Sequence, residues 1–108
     1  MSTAKYAPKL YAKNPLEFGK KPDIAWITAT SPREKDELAA SKMQHEFAYK
    51  VRARAAELGL TLTTYSSMSS LTYDRNAKIL RGEALMRLDF LTEAERLIGH
   101  IVSAQGSQ

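Results

Sequence analysis

Side chains that commonly perform catalysis are sparse in this sequence. It has no cysteine, and its two histidines, His45 and His100, stand far apart without a nearby carboxylate pattern. The serine-rich stretch TYSSMSS at 64–70 lacks both a G-x-S-x-G elbow and an adjacent base. The absence of cysteine excludes disulfides and thiolate chemistry, and the histidine count argues against a zinc or haem site. We therefore expect no enzyme activity, no metal site and no cofactor.

Side chains suited to binding DNA are concentrated between residues 61 and 78. Arg75 can donate two hydrogen bonds to a guanine, and Lys78 can bind a base or a phosphate. Tyr73 can touch a thymine methyl group or a phosphate, and Asp74 can accept a hydrogen bond from cytosine N4. Asp74 can equally restrain Arg75 or face solvent. For Arg75 and Lys78 the alternative is an ordinary solvated helix face.

Three threonines complete this set of candidate DNA contacts, and they lie where helices are predicted to start: Thr61, Thr63 and Thr72. A threonine hydroxyl and the free N–H groups of a helix start can together hold a phosphate. Threonine is also a common N-cap, which accepts a hydrogen bond from the helix backbone. Both interpretations predict helices that begin near residues 61 and 72.

A long helix is clearly marked from residue 31 onward. Ser31 is a suitable N-cap, Pro32 occupies the first helical position, and Glu34 completes a capping box. Neither proline nor glycine interrupts the chain until Gly59, the expected residue after the helix end. The length leaves room for a break near Ala40–Ser41. Apolar residues at helical spacing predict its buried face: Met43, Phe47, Val51, Ala55 and Leu58.

Three shorter helices are predicted after Gly59, at about 61–69, 72–80 and 88–100. Gly82 follows the second of them as a stop signal. Two helices of about eight residues joined by three or four residues have the spacing of a helix-turn-helix. The predicted core of this part consists of Leu60, Met68, Leu71, Ile79, Leu88, Leu91 and Ile98.

The first 30 residues are predicted to form a basic N-terminal arm. Residues 1–22 contain three of the four prolines and five lysines, so irregular structure is expected there. The stretch DIAWITAT at 23–30 favours a short strand. It has no visible partner strand, so it either packs on the helices as an extended segment or pairs with another molecule. The chain therefore divides into an arm at 1–30, a helical domain at 31–102 and a flexible tail at 103–108.

Composition agrees with one small soluble domain. The chain has 108 residues, of which 44% are hydrophobic and 26% charged, and its net charge is +4. A basic protein favours an acidic partner such as nucleic acid. No apolar run reaches the ~18–20 residues that cross a bilayer, and no secretory signal is visible. We expect a cytoplasmic protein that does not enter a membrane.

The 41 residues from Gly59 to Gly99 resemble the Cro and phage-repressor family of helix-turn-helix regulators, also called the xenobiotic-response-element type. Gly59-Leu60-Thr61 matches the opening of that family's second helix, and Thr72 matches the cap of its recognition helix. Arg81-Gly82-Glu83 stands where the family has an arginine-glycine signature. Three residues depart from the pattern: Ser70 replaces the turn glycine, Asn76 an apolar core residue, and Arg87 a small N-cap.

The resemblance implies an all-α fold, a small lambda-repressor-like bundle, and a sequence-specific double-stranded DNA-binding protein. Such a protein reads the major groove with the helix around 72–80 and regulates transcription, in a repressor-like manner. The alternative is a protein–protein interaction module, antitoxin-like or a regulator-binding adaptor, in which residues 1–42 bind the partner. Spare apolar residues at 23–45 predict a homodimer through that region.

Overall fold

The computed structural model describes residues 6–102, so Lys5 of the predicted arm and the predicted tail at 103–108 lie outside the described residues. The described range contains helices and no strand. Two 3-10 helices, Pro8–Tyr11 and Pro15–Glu17, precede the α-helices. The four α-helices are α1 (Pro32–Glu57), α2 (Leu62–Met68), α3 (Tyr73–Leu80) and α4 (Leu88–Ile98). The fold of this part is all-α, as the sequence predicts.

Helix boundaries follow the predicted capping residues. The Ser31 hydroxyl accepts a hydrogen bond from Glu34 N at 3.1 Å, and the Glu34 carboxylate accepts one from Ser31 N at 3.3 Å. Thr61 and Thr72 cap α2 and α3, each by accepting one backbone hydrogen bond, without a reciprocal bond. The break allowed for near Ala40–Ser41 does not occur, because α1 runs without interruption for 26 residues.

The buried face of α1 differs from the predicted apolar face. Val51 and Ala55 are buried, but the prediction is wrong for Met43 and Leu58, which are 60% and 45% exposed. Much of the buried face is polar instead, and it includes Ser41, Gln44 and His45. These three side chains are buried because each forms hydrogen bonds with segments packed against α1.

The core lies between α1 and the three shorter helices, and it includes Ile79, Leu91 and Ile98 as predicted. Leu60 and Leu71 are half-buried and pack against it. The core prediction is wrong for two residues. Leu88 is 81% exposed, because the buried face of α4 begins at Phe90, and Met68 is 43% exposed at the last turn of α2.

The stretch at 23–30 does not form the predicted strand. A single antiparallel bridge joins Trp26 to Ala12. Lys13 N donates to Ala25 O at 3.0 Å, and Ile27 N donates to Tyr11 O at 2.9 Å. The extended stretch therefore pairs within its own chain. The partner stretch around Ala12 is too short to show a strand pattern in the sequence.

The part of the arm that the structure describes, residues 6–30, is called the N-terminal segment below, and it packs into the core. Phe18 is 1% exposed, and its ring meets those of Trp26 and His45 edge to face at centroid distances of 6.2 and 5.4 Å. Gly19 N donates to His45 Nδ1 at 2.9 Å. Lys9 N donates to Gly82 O, which ties the segment to the residues after α3.

Gly82 permits this close packing. Its φ is +79°, in the left-handed region that favours glycine, and an added Cβ would lie 2.8 Å from Phe18 Cδ1 and 2.9 Å from Lys9 N. Gly59 has a similar φ of +74°, but a Cβ added there would meet nothing within 4 Å. Substitution at Gly59 therefore introduces backbone strain alone, whereas substitution at Gly82 introduces strain and a steric clash.

We expect Gly82→Ala to destabilise the protein more than Gly59→Ala. Left-handed strain costs about 1–2 kcal/mol at either position, and overpacking adds about 1–3 kcal/mol at Gly82. Urea unfolding of the two variants and the parent chain measures the difference. Equal losses at the two positions would show that the N-terminal segment is not packed closely against Gly82.

Candidate nucleic-acid interface

A four-residue connection, 69–72, joins α2 to α3. The buried Asn76 of α3 holds the two helices together: its Nδ2 donates to Ser66 Oγ at 3.1 Å and to Ser69 Oγ at 3.0 Å. Ser66 belongs to α2, and Ser69 begins the connection. The serine-rich stretch therefore supplies partners for a buried amide. Asn76 and its serine partners thus occupy the place where the resemblance implies an apolar core residue.

The carboxyl end of α3 is held by Gln44 of α1. Gln44 Nε2 donates to Ile79 O and to Ala84 O, both at 2.9 Å. Gln44 Oε1 accepts a hydrogen bond from Met86 N at 2.9 Å. These bonds satisfy backbone groups at and beyond the carboxyl end of α3. Two buried amides, Asn76 in the middle of α3 and Gln44 at its carboxyl end, thus hold α3 in position.

Four predicted contacts lie on the exposed surface of α3: Tyr73, Asp74, Arg75 and Lys78. Lys78 Nζ lies 3.2 Å from Asp74 Oδ2, one helical turn away. Asp74 therefore restrains Lys78 and not Arg75. Arg75 has no carboxylate within 4.0 Å and no side-chain hydrogen bond among residues 6–102, so its guanidinium is available for a ligand.

Two of the three threonines, Thr61 and Thr72, act as caps in this structure. Thr72 Oγ1 accepts a hydrogen bond from Arg75 N, and Thr61 Oγ1 accepts one from Thr64 N, both at 3.1 Å. Thr63 is exposed in the first turn of α2. Thr72 therefore belongs with the residues of α3, whereas Thr61 and Thr63 form a separate group at the start of α2.

A cleft of about 440 Å³ opens between the α2–α3 connection, α3 and the start of α4. Arg75 and Arg87 line it together with Asp89 and Glu93. Arg87 pairs with Asp89 through two contacts of 3.2 Å, and Glu93 accepts a hydrogen bond from Ser70 N at 2.9 Å. Arg87 was not predicted as a site residue. Its only signal in the sequence is its unusual place as the N-cap of α4.

A second basic group stands just beyond the carboxyl end of α3. Arg81 donates to both carboxylate oxygens of Glu83, at 2.9 and 3.2 Å, and Lys9 Nζ lies 3.3 Å from the same carboxylate. The hydrogen bond from Arg81 is the largest cause that lowers the pKa of Glu83 to about 2. Glu83 therefore remains ionised at neutral pH and holds Arg81 in a fixed position.

Comparisons of the chain with family models, with curated proteins and with solved structures returned no match. The described helices include none that is long and apolar enough to span a membrane. Within residues 6–102, no group of three or more metal-binding side chains lies close enough together to hold an ion. Function must therefore be inferred from the chemistry of the residues on and around α3.

We expect Asn76→Ala to destabilise the protein by about 1–3 kcal/mol, because buried groups on α2 and the connection lose their hydrogen-bond donor. Urea unfolding measures the loss. Ser67→Ala is the matched control, since Ser67 is exposed and donates to Thr64 O within α2 itself. Its loss should stay within about 0.5 kcal/mol. Equal stability of the two variants would show that Asn76 does not join α2 to α3.

Proposed function

We propose that this protein is a sequence-specific double-stranded DNA-binding protein and a repressor-like regulator of transcription. In this proposal α2, the 69–72 connection and α3 form a lambda-repressor-like helix-turn-helix, and α3 reads the major groove. The observation that carries the proposal is the unpaired Arg75 guanidinium on the exposed side of a helix that buried amides hold at its middle and at its carboxyl end.

Dimensions and chemistry support this role for α3. A helix with its side chains is about 10–12 Å in diameter, which fits the major groove of B-DNA, about 12 Å wide. Arg75 lies in the first turn of α3, and the residues near the start of a recognition helix are those that reach base edges. A planar guanidinium matches the two acceptors of guanine in the major groove. The net charge of +4 adds attraction to the DNA backbone.

Arg75→Ala is expected to weaken binding to the cognate site by about 1–3 kcal/mol and binding to scrambled DNA much less. The cognate site is first obtained by selection from a random duplex library with the full chain. Lys50→Ala is the matched control, because Lys50 is a cation of α1 that lies outside both α3 and residues 23–45. Equal losses on cognate and scrambled DNA would make Arg75 a phosphate contact.

The alternative function is a protein–protein interaction module, in which the N-terminal part of the chain binds a protein. Exposed leucines in the N-terminal segment favour it: Leu10 is 51% exposed and Leu16 is 76% exposed. Electrophoretic mobility with random and genomic DNA fragments separates the two functions. An interaction module retards neither, and a regulator retards the genomic fragments that contain its site.

A homodimer follows from the proposed mode of DNA reading, because one recognition helix covers only a few base pairs. We propose that residues 23–45 form its interface. Trp26 packs against Phe18 and His45 of its own chain, so the apolar surface left in this region includes Ile27 and Met43, which are 38% and 60% exposed.

Light scattering of the full chain is expected to give a dimer, and Met43→Glu is expected to shift it toward monomer because a carboxylate would be buried in the interface. Leu88→Glu is the control, since Leu88 is exposed on α4 and lies outside 23–45. A strict monomer at high concentration ends the dimer proposal. A dimer that Leu88→Glu disrupts and Met43→Glu does not would move the interface to α4.

A further inference from the structure

Arg52 of α1 carries a positive charge that has no partner among residues 6–102. Its Nε is buried and forms no hydrogen bond. The side chain lines a small cavity of about 130 Å³ whose other walls are largely apolar, including Val51, Leu60 and Leu80. The residue as a whole is half-buried, so the guanidinium is both partly desolvated and open to solvent. A desolvated charge without a partner is unfavourable, and an anion from outside would relieve it.

A second guanidinium, that of Arg81, belongs to the residue that follows Leu80, which lines the same cavity as Arg52. Burial is the main cause that lowers the pKa of Arg52, and the positive charge of Arg81 lowers it further. Arg81 is held by Glu83, which also binds Lys9. The four groups together carry three positive charges and one negative charge. The surface beside the carboxyl end of α3 therefore attracts anions.

The position of Arg52 and Arg81 relative to α3 indicates which kind of anion the pair binds. Successive residues of a helix turn by about 100°, so Arg75 and Arg81 lie about 60° to either side of Lys78. Arg81 thus stands on the flank of the exposed surface opposite to Arg75, and Arg87 lies with Arg75 at the cleft. A helix in the major groove has a phosphate backbone on each side.

We propose that Arg52 and Arg81 form a phosphate-binding pair that holds a DNA backbone phosphodiester on the flank of α3 away from Arg75. The inference rests on the proposed DNA-binding function and adds two contacts to it that do not depend on base sequence. Arg52 supplies the planar, permanently charged donor group that matches a phosphate, and its buried stem limits the positions available to it. Arg81 adds charge from a side chain already fixed by Glu83.

The test measures the affinity of the full chain for a random-sequence duplex at several salt concentrations. Loss of one phosphate contact lowers the slope of log affinity against log salt by about 0.9, or roughly 3.5-fold less change between 50 and 200 mM salt. Arg52→Gln is expected to show this decrease, and Arg52→Lys is expected to keep the slope. Lys50→Gln removes an equal charge from α1 at a position about 160° around the helix from Arg52 and outside residues 23–45, and it is expected to leave the slope unchanged.

A second measurement uses the unmodified protein and does not depend on the folding of a variant. The Arg52 Nε–H resonance is expected to shift when the random duplex is added and to remain in place with inorganic phosphate alone at the same phosphate concentration. A shift of equal size with inorganic phosphate, together with an unchanged slope for Arg52→Gln, would make this a site for free anions and overturn the proposal.

Failure of this inference differs from failure of the proposed function. If the parent chain binds no duplex at low salt, DNA binding itself is refuted. If the parent chain binds and Arg52→Gln has the parent's slope, DNA binding stands and the phosphate contact at Arg52 is refuted.

Discussion

The placement of α3 depends on one uncharged side chain, Gln44. A helix that ends inside a small protein leaves carbonyl groups without intrahelical partners, and the chain after it must turn without losing further hydrogen bonds. The Gln44 amide bonds groups on both sides of the turn: its nitrogen donates to Ile79 O and Ala84 O, and its oxygen accepts from Met86 N. Because α1 is long and continuous, Gln44 ties α3 to the most extended element of the fold.

The N-terminal segment reinforces the same region from the opposite side. Phe18 fills the space beside Gly82, and Gly19 bonds to His45 one residue beyond Gln44 on α1. The segment therefore acts as a structural cover over the carboxyl end of α3. It also restrains its own charges, since Lys9 pairs with Glu83. A basic arm in the sequence thus becomes a packed element whose charge is in part held by carboxylates.

Local signals in the sequence predicted the helix ends, because a cap or a glycine stop depends on a few neighbouring residues. The buried face of α1 could not be predicted in this way. Ser41 bonds to a distant tyrosine hydroxyl, and Gln44 and His45 bond to distant backbone groups. No local pattern records those partners. Met43 has the right residue type for a core, but no element covers it.

Features of the candidate site also fall into two groups: those that local sequence predicts and those that depend on the folded chain. Exposure of Arg75 on the first turn of α3 follows from the cap at Thr72, and the pairing of Lys78 with Asp74 follows from a spacing of four residues. The unpaired state of Arg52 depends on what surrounds it in the folded chain, so the sequence around residue 52 does not reveal it. Asn76 shows the converse, since a departure from an apolar pattern is explained by serines that look unremarkable alone.

Under the proposed DNA-binding function, the pairing of the cations around α3 determines how selectively the surface would bind DNA. Three of them lie against carboxylates in exposed ion pairs: Lys78 with Asp74, Arg81 with Glu83, and Arg87 with Asp89. Exposed pairs contribute about 0–1 kcal/mol each, so a phosphate can displace the carboxylate from Lys78 or Arg87 at small cost. The pairs nevertheless reduce the charge that random DNA meets, which lowers non-specific affinity. Arg75 has no such competitor, so the ratio of specific to non-specific binding increases where the bases offer it a bidentate partner.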